Sequence, residues 1–274
     1  MESNKKDKMP KGVFMAQKKD KTIYYRASCT ISGKHVSLGS FGTKDAAAKA
    51  YKEAVKIIMS KGKTNAPTPE NYNQKKYNLS FFKYITLINY RDNGIYIKTP
   101  IYMKKRYFEY YLDEKTILKF DVDDLFFYST HSIMKRDGHL FVADYGMQLN
   151  IKNRYGIKNF AVKNKDYVFI NGDDLDYRYG NILIINKYNG VTKISKKGKT
   201  FYAVKIHVNG DYVVGVYENE NDAAIAYNKA VDYLEEHGIS KNYSINFIED
   251  MNSLEYAARY SEIKLRKTFT NAFK

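Results

Sequence analysis

Tryptophan is missing from the 274 residues, and cysteine occurs once, at Cys29. A single thiol excludes an internal disulfide framework and a cysteine-based zinc site within one chain. Cys29 alternates with apolar neighbours, which reads as a core thiol rather than a nucleophile. No apolar run approaches the ~20 residues that a bilayer span requires. The opening "MESNKKDKMPKG" has charge but no apolar segment behind it, so no secretory signal is expected either. Histidine is also scarce, at five residues, and none falls near the acidic stretch Asp173, Asp174 and Asp176 in sequence. No metal or cofactor is expected, and a location in the cytoplasm is.

What is abundant is positive charge and phenolic rings. Lys and Arg number 46 against 30 Asp and Glu, for a net charge of +16, and there are 27 Tyr and 15 Phe. An excess of this size points to a polyanionic partner, because basic side chains that neutralise phosphates release condensed counterions. Residues 1–65 hold 15 basic and 5 acidic side chains, residues 66–182 hold 18 and 14, and residues 183–274 hold 13 and 11. The first quarter of the chain therefore carries most of the excess.

Two segments repeat. "AAKAYKEAV" (47–55) recurs as "AAIAYNKAV" (223–231), identical at six of nine positions. Each reads as an amphipathic helix whose alanines allow close approach to a flat surface, with Thr43 and Asn219 at matching N-cap positions. Upstream, "YYRASCTISGKHVSLGSF" (24–41) and "FYAVKIHVNGDYVVGVY" (201–217) alternate with period two around a glycine-containing hairpin. "GVF" (12–14) and "GVTKI" (190–194) supply a first strand. Each unit is thus a three-stranded antiparallel sheet covered on one face by a helix. In the first copy Tyr25, Ala27, Cys29, Ile31, Val36 and Leu38 face the helix. Tyr24, Arg26, Ser28, Thr30, His35 and Ser37 face outward, with Lys18, Lys19, Lys21 and Lys34 at the rims. In the second, Tyr202, Val204, Ile206 and Val208 face inward. Phe201, Ala203, Lys205 and His207 face out, with Lys196, Lys197 and Lys199 on a turn.

The order "GV", Tyr25-Arg26-Ala27, "SLGSFGT", "AAxAYxxA" resembles the Apetala-two/ethylene-response-factor family of DNA-binding domains. The second copy departs at "VVGVYEN" and is followed by "INF" (245–247), which suits that family's terminal Asn-Phe. The resemblance implies that the uncovered sheet face enters the major groove of duplex DNA, a groove that admits a β-ribbon and offers base edges to alternate side chains. The family's Trp and most of its Arg are missing, so its sequence specificity does not carry over.

Between the repeats, Pro67 and Pro69 mark a linker at 66–80. The runs "FFKYITLINY", "GIYIKTPIYM", "RYFEYYL" and "TILKFD" read as strands, with turns at Asn93-Gly94 and Asp113-Glu114. Further on, "INGD" (170–173), "LDYR" (175–178) and Asn181-Ile182 fall in register with the HNH endonucleases of phages and mobile introns, which the chain resembles over roughly 81–190. That resemblance places the general-base histidine at Phe169, the adjacent metal-binding aspartate at Val168, the first histidine at Asn153, and the base-orienting asparagine at Asn181. The last metal-ligand position falls near Asn189 and Gly190. A phenyl ring neither takes a proton nor binds a metal, so cleavage by this site is not expected.

The expected fold class is α+β: two small sheet-plus-helix modules at 1–65 and 189–250, flanking a β-rich, degenerate HNH-like (ββα-like) middle domain at 81–188. A tail helix at 251–274 carries the apolar stripe Leu254, Ala257, Ala258, Tyr260, Ile263 and Leu265. The function so read is that of a non-catalytic, sequence-specific binder of double-stranded DNA, a regulator or repressor of phage or mobile-element origin, nucleoid-associated in a bacterial host. Two alternatives stay open at this point. One is an inhibitor of a host defence nuclease (anti-CRISPR or anti-restriction) that binds a protein or nucleoprotein complex. The other is an HNH-like endonuclease with an atypical site.

Overall fold

The computed structural model describes residues 8–274; the basic start of the chain, residues 1–7, lies outside the described residues. The fold is α+β, built of small three-stranded antiparallel sheets and helices. Compactness divides it into two units, one holding residues up to Leu149 with Asp173–Tyr179, the other Asn150–Gly172 with Gly180–Lys274.

In the first unit, β1 (Val13–Gln17), β2 (Ile23–Ile31) and β3 (Lys34–Phe41) form a sheet with β2 in the middle. The alternation read from the sequence decides its two faces: Val13, Ala27, Cys29, Ile31, Val36 and Leu38 are buried. Against them lies α1 (Lys44–Ile58), started by Thr43, whose hydroxyl accepts from the Ala46 N–H at 3.2 Å. Ala47, Ala50 and Ala54 are fully buried on its inner side, and the absence of bulk there lets helix and sheet backbones close up.

The run "FFKYITLINY" is a helix, not a strand. It forms α2 (Phe81–Asn93), capped by Ser80 and ended by Gly94 in the left-handed conformation. Its Tyr84, Ile85, Leu87 and Ile88 share one core with the first sheet and α1. Residues 66–80 are not a free linker. The Glu53 carboxylate of α1 accepts from the backbone N–H groups of Asn78 and Leu79, and Leu79 is buried in that same core. The module at 1–65 therefore shares its core with Leu79, α2 and Tyr111. β4 (Ile101–Met103), β5 (Tyr107–Tyr111) and β6 (Ile117–Asp121) make a second sheet, with the expected turn at Asp113-Glu114 closed by two N–H bonds to the Asp113 carboxylate. The short helix α3 (Leu125–Thr130) follows, and β7 (Ile133–Arg136), β8 (His139–Asp144) and β9 (Met147–Asn150) form a third sheet.

In the second unit, β10 (Tyr167–Phe169) and β11 (Ile182–Ile184) form a two-stranded hairpin. The chain then enters β12 (Val191–Lys196), β13 (Lys199–His207) and β14 (Asp211–Tyr217), a sheet of the same order as the first, covered by α4 (Glu220–Glu236). The hairpin is thus followed by a strand, and the helix of a ββα frame is not found there. The tail is not one helix but two, α5 (Ser253–Glu262) and α6 (Lys267–Asn271). Leu254, at the start of the expected stripe, is 85% exposed, whereas Ile263 and Phe269 enter the core beneath α4. No helix among the described residues is long and apolar enough to cross a membrane.

The two end sheets superpose feature by feature. Gly12 and Gly190 both have positive φ, 72° and 69°. A Cβ on either would stand 2.2 Å from the Tyr51 or Tyr227 ring and 2.5 Å from the Ser28 or Lys205 carbonyl oxygen. Ser28 N–H donates to Gly12 O, and Lys205 N–H to Gly190 O, each at 2.9 Å. A bulge interrupts the register at Ala27/Ser28 and at Val204/Lys205. Tyr51 and Tyr227 are the tyrosines of the repeated helix motif, so that motif and its distant glycine form one packing device.

Candidate nucleic-acid interface

With the pairing fixed, the uncovered faces can be laid side by side. On the first sheet Arg26 lies between Phe14 and Ser40, Ser28 beside Ser37, and Thr30 beside His35. Arg26 Nη2 donates to the Tyr24 hydroxyl at 2.6 Å, and its guanidinium stands 5.4 Å from the Tyr24 ring centre. That contact holds a cation at mid-face, in the geometry that suits a fork toward phosphate or guanine. Thr30, His35 and Ser37 are exposed, as are Lys18, Lys19, Lys21 and Lys34, while Tyr24 is half-buried.

Ser28 is different. It is only 6% exposed, although it points outward. The Phe14 ring from β1 and the His35 ring from β3 close to 6.3 Å across β2, and the small serine lies beneath them. Ser28 is therefore too buried to reach a groove, and Phe14, 54% exposed, is what this row of the face presents instead. The alternation that buries Val13 already turns Phe14 outward, so the signal was in "GVF".

The hairpin tips correspond as well. Lys18, Lys19 and Lys21 sit on the β1–β2 connection; at the equivalent end of the second sheet Lys196 and Lys199 are the last pair of β12 and β13 and Lys197 is in the turn between them, all exposed. In the first tip Asp20 accepts from the Thr22 N–H at 3.0 Å, and that bond lowers its carboxyl below the usual range. The central faces diverge. Tyr24, Arg26, Ser28, Thr30, His35 and Ser37 correspond to Phe201, Ala203, Lys205, His207, Asp211 and Val213. The His207 ring pairs with Asp211 at 2.9 Å, and that hydrogen bond lowers the Asp211 carboxyl. A carboxylate thus stands where the first sheet has an imidazole.

The acidic stretch at 173–178 is tied up structurally. Asp173 meets Lys119 Nζ at 2.9 Å, a bond that lowers the carboxyl and raises the amine. Asp176, fully buried, takes both oxygens to Arg178, at 2.8 and 2.6 Å. Around them the Lys119 N–H donates to Leu175 O and the Tyr177 N–H to Lys119 O, pinning the loop along β6. His131, on the neighbouring α3, stacks on Phe127 and stands 3.5 Å from Asp144.

The positions to which the sequence resemblance assigned the HNH residues are occupied by packing and loop-closing side chains. Phe169 is buried in the β10–β11 hairpin opposite Ile182, and Val168 pairs with Leu183. Asn181 closes the hairpin loop: its side-chain oxygen accepts from the Asn171 N–H and its carbonyl from the Ile170 N–H, each at 2.8 Å. Asn153 lies in a 3-10 turn. Asn189 exchanges hydrogen bonds with Asn246, and Gly190 serves the tyrosine device described above. Among the described residues no group of three His, Cys, Asp or Glu side chains is arranged to hold a metal ion.

No protein-family model, curated protein or solved structure matches the chain.

Proposed function

We propose that this chain is a non-catalytic, sequence-specific binder of double-stranded DNA, of the regulator type, with its first sheet as the base-reading surface. The observation that carries the reading is the open face of that sheet. An arginine is held at its centre by a tyrosine, short polar side chains and an imidazole surround it, and three lysines occupy the adjoining hairpin tip. A three-stranded ribbon with alternate polar side chains fits a major groove, and tip lysines suit flanking phosphates. Descent from an HNH homing endonuclease of a phage or mobile element belongs to the same proposal. It is supported by "INGD" (170–173), "LDYR" (175–178) and the loop-closing Asn181, which stand in the register of that family, while Phe169 accounts for the absence of catalysis.

The test is binding of mixed and library-selected duplexes by the intact chain across a salt series. Arg26→Ala is expected to lower affinity by about 1–3 kcal/mol and to relax base preference at one position. Lys18→Ala is expected to weaken all sequences alike and reduce the salt slope by about 1. Point variants are needed here, since residues 1–65 share a core with α2 and their deletion would unfold the unit. Binding without a steep salt slope, or an Arg26→Ala protein with unchanged affinity and preference, overturns the reading. A second reading, inhibition of a host defence nuclease, is favoured by one observation: the second open face carries Phe201, Ala203, Val213 and Val216. A complex with such a nuclease that survives salt able to strip DNA would carry it.

A further inference from the structure

The second sheet has little charge at its centre, yet a cationic strap lies along its edge. After α5, residues 263–266 run extended beside β14. Lys229 Nζ donates to the carbonyls of Tyr260 and Ile263, at 2.6 and 2.8 Å, fixing the start of this segment. Tyr217 donates its hydroxyl to Lys264 O at 3.2 Å, and the Arg266 N–H donates to Val214 O at 2.9 Å. Beyond it, Phe269 of α6 is buried in the core.

Alternation along the strap then sorts its side chains. Ile263 and Leu265 turn into the core, and Lys264 and Arg266 turn out. With Val213, Gly215, Val216 and Tyr217 they line a cleft of about 320 Å³ that opens beside the uncovered face. The first sheet offers no such tyrosine anchor, because Phe41 occupies the place of Tyr217 and has no hydroxyl.

Resting on the DNA-binding reading above, we infer that this strap is the phosphate clamp of the second repeat: Lys264 and Arg266 grip the backbone of duplex DNA. Three features select this occupant. Two cations on a backbone fixed by hydrogen bonds are pre-organised for a regularly charged strand. The Val213 and Val216 methyl groups of β14 beside them offer contact to sugar edges and thymine methyls. The tip lysines Lys196, Lys197 and Lys199 end the same face on its other side, so cations bracket it. A contact of this kind sets position and affinity and carries no sequence information.

The experiment compares the intact chain with Lys264→Ala/Arg266→Ala on duplexes of different sequence, by fluorescence anisotropy from low to high salt. A double variant on the solvent side of α1, Lys49→Ala/Lys52→Ala, serves as the charge-matched control. The strap variant is expected to lose about 1.8 from the log–log salt slope, so its deficit grows about 3.5-fold for each halving of salt. Its base preference stays that of the unaltered chain, and the control keeps the full slope. A strap variant with the control's slope overturns the inference and leaves the base-reading proposal standing. A loss confined to particular sequences also overturns it, since the strap would then read bases. Absence of salt-dependent duplex binding by the intact chain overturns both proposals. Loss of binding to an acidic protein, with duplex binding unchanged, assigns the cleft to a protein partner and overturns the clamp.

Discussion

The two end repeats agree where they face their helices and disagree where they face outward. Glycine, tyrosine, carbonyl, bulge and N-cap recur at equivalent places, with the glycine contacts equal to the tenth of an ångström. On the other side, alanine stands in the second repeat where the first has arginine, lysine where it has serine, and aspartate where it has histidine. A close-packed interior permits few solutions, because a displaced methyl group is felt throughout it. An open face has no such constraint and is free to take up different ligand chemistry. The contrast locates specificity: a feature present in both repeats builds the module, and a feature present in one tells what that module touches.

The sharpest way to break this comparison is at the shared glycine. Gly12→Ala and Gly190→Ala each force an L-residue into positive φ and push a methyl group into a tyrosine ring and a carbonyl oxygen. The left-handed conformation costs about 1–2 kcal/mol and the overpacking about as much again, so each variant is expected to lose about 3 kcal/mol. Chemical denaturation of both variants checks this. If one copy tolerates the methyl group and the other does not, the repeats are not the same device.

A milder pair of changes addresses how each helix begins. Thr43 caps α1 through one N–H, whereas Asn219 caps α4 through two, those of Asn221 and Asp222 at 2.8 and 3.2 Å. Replacement by alanine is expected to cost about 1 kcal/mol in each repeat, with the larger loss at Asn219. Thermal unfolding of the two variants decides the order, and a larger loss at Thr43 would contradict it.

The legibility of the molecule follows the same division. Period-two alternation and the alanine-rich helices displayed both modules, because a one-sided core writes its period into the chain. The middle was harder. "FFKYITLINY" is largely apolar and aromatic, and its polar Thr86 and Asn89 are buried along with Tyr84, Ile85, Leu87 and Ile88, so the run has no clear period to tell helix from strand. The serine before it and the glycine after it were the available cues. At the candidate interface, the outward list was legible from alternation except at Ser28. Its burial depends on two rings reaching across a strand from separate segments, which no local pattern records. The strap was legible only as basic residues near the end. Its position depends on Tyr217 and Lys229, some 30 to 50 residues away in sequence.

The smallest change sharpens the comparison most narrowly, by making the second repeat resemble the first. Tyr217→Phe restores the phenylalanine of the first sheet and removes one hydroxyl bond to the strap, with an expected cost of about 1 kcal/mol at neutral pH. The effect has a definite pH signature. Burial, aided by the nearby Asp222 carboxylate, raises the Tyr217 phenol from its ordinary value to about 12. The neutral, donating form is therefore favoured in the folded state. Its contribution is fully present below about pH 10, where the unfolded phenol titrates, and is lost as the pH rises through the folded value. Denaturation at pH 8 should show the variant less stable than the parent. Between pH 10 and 12 the parent should lose stability faster, and the gap should close or reverse. A gap that stays constant across that interval would mean that the folded chain leaves the Tyr217 phenol in water instead of burying it at the edge of β14.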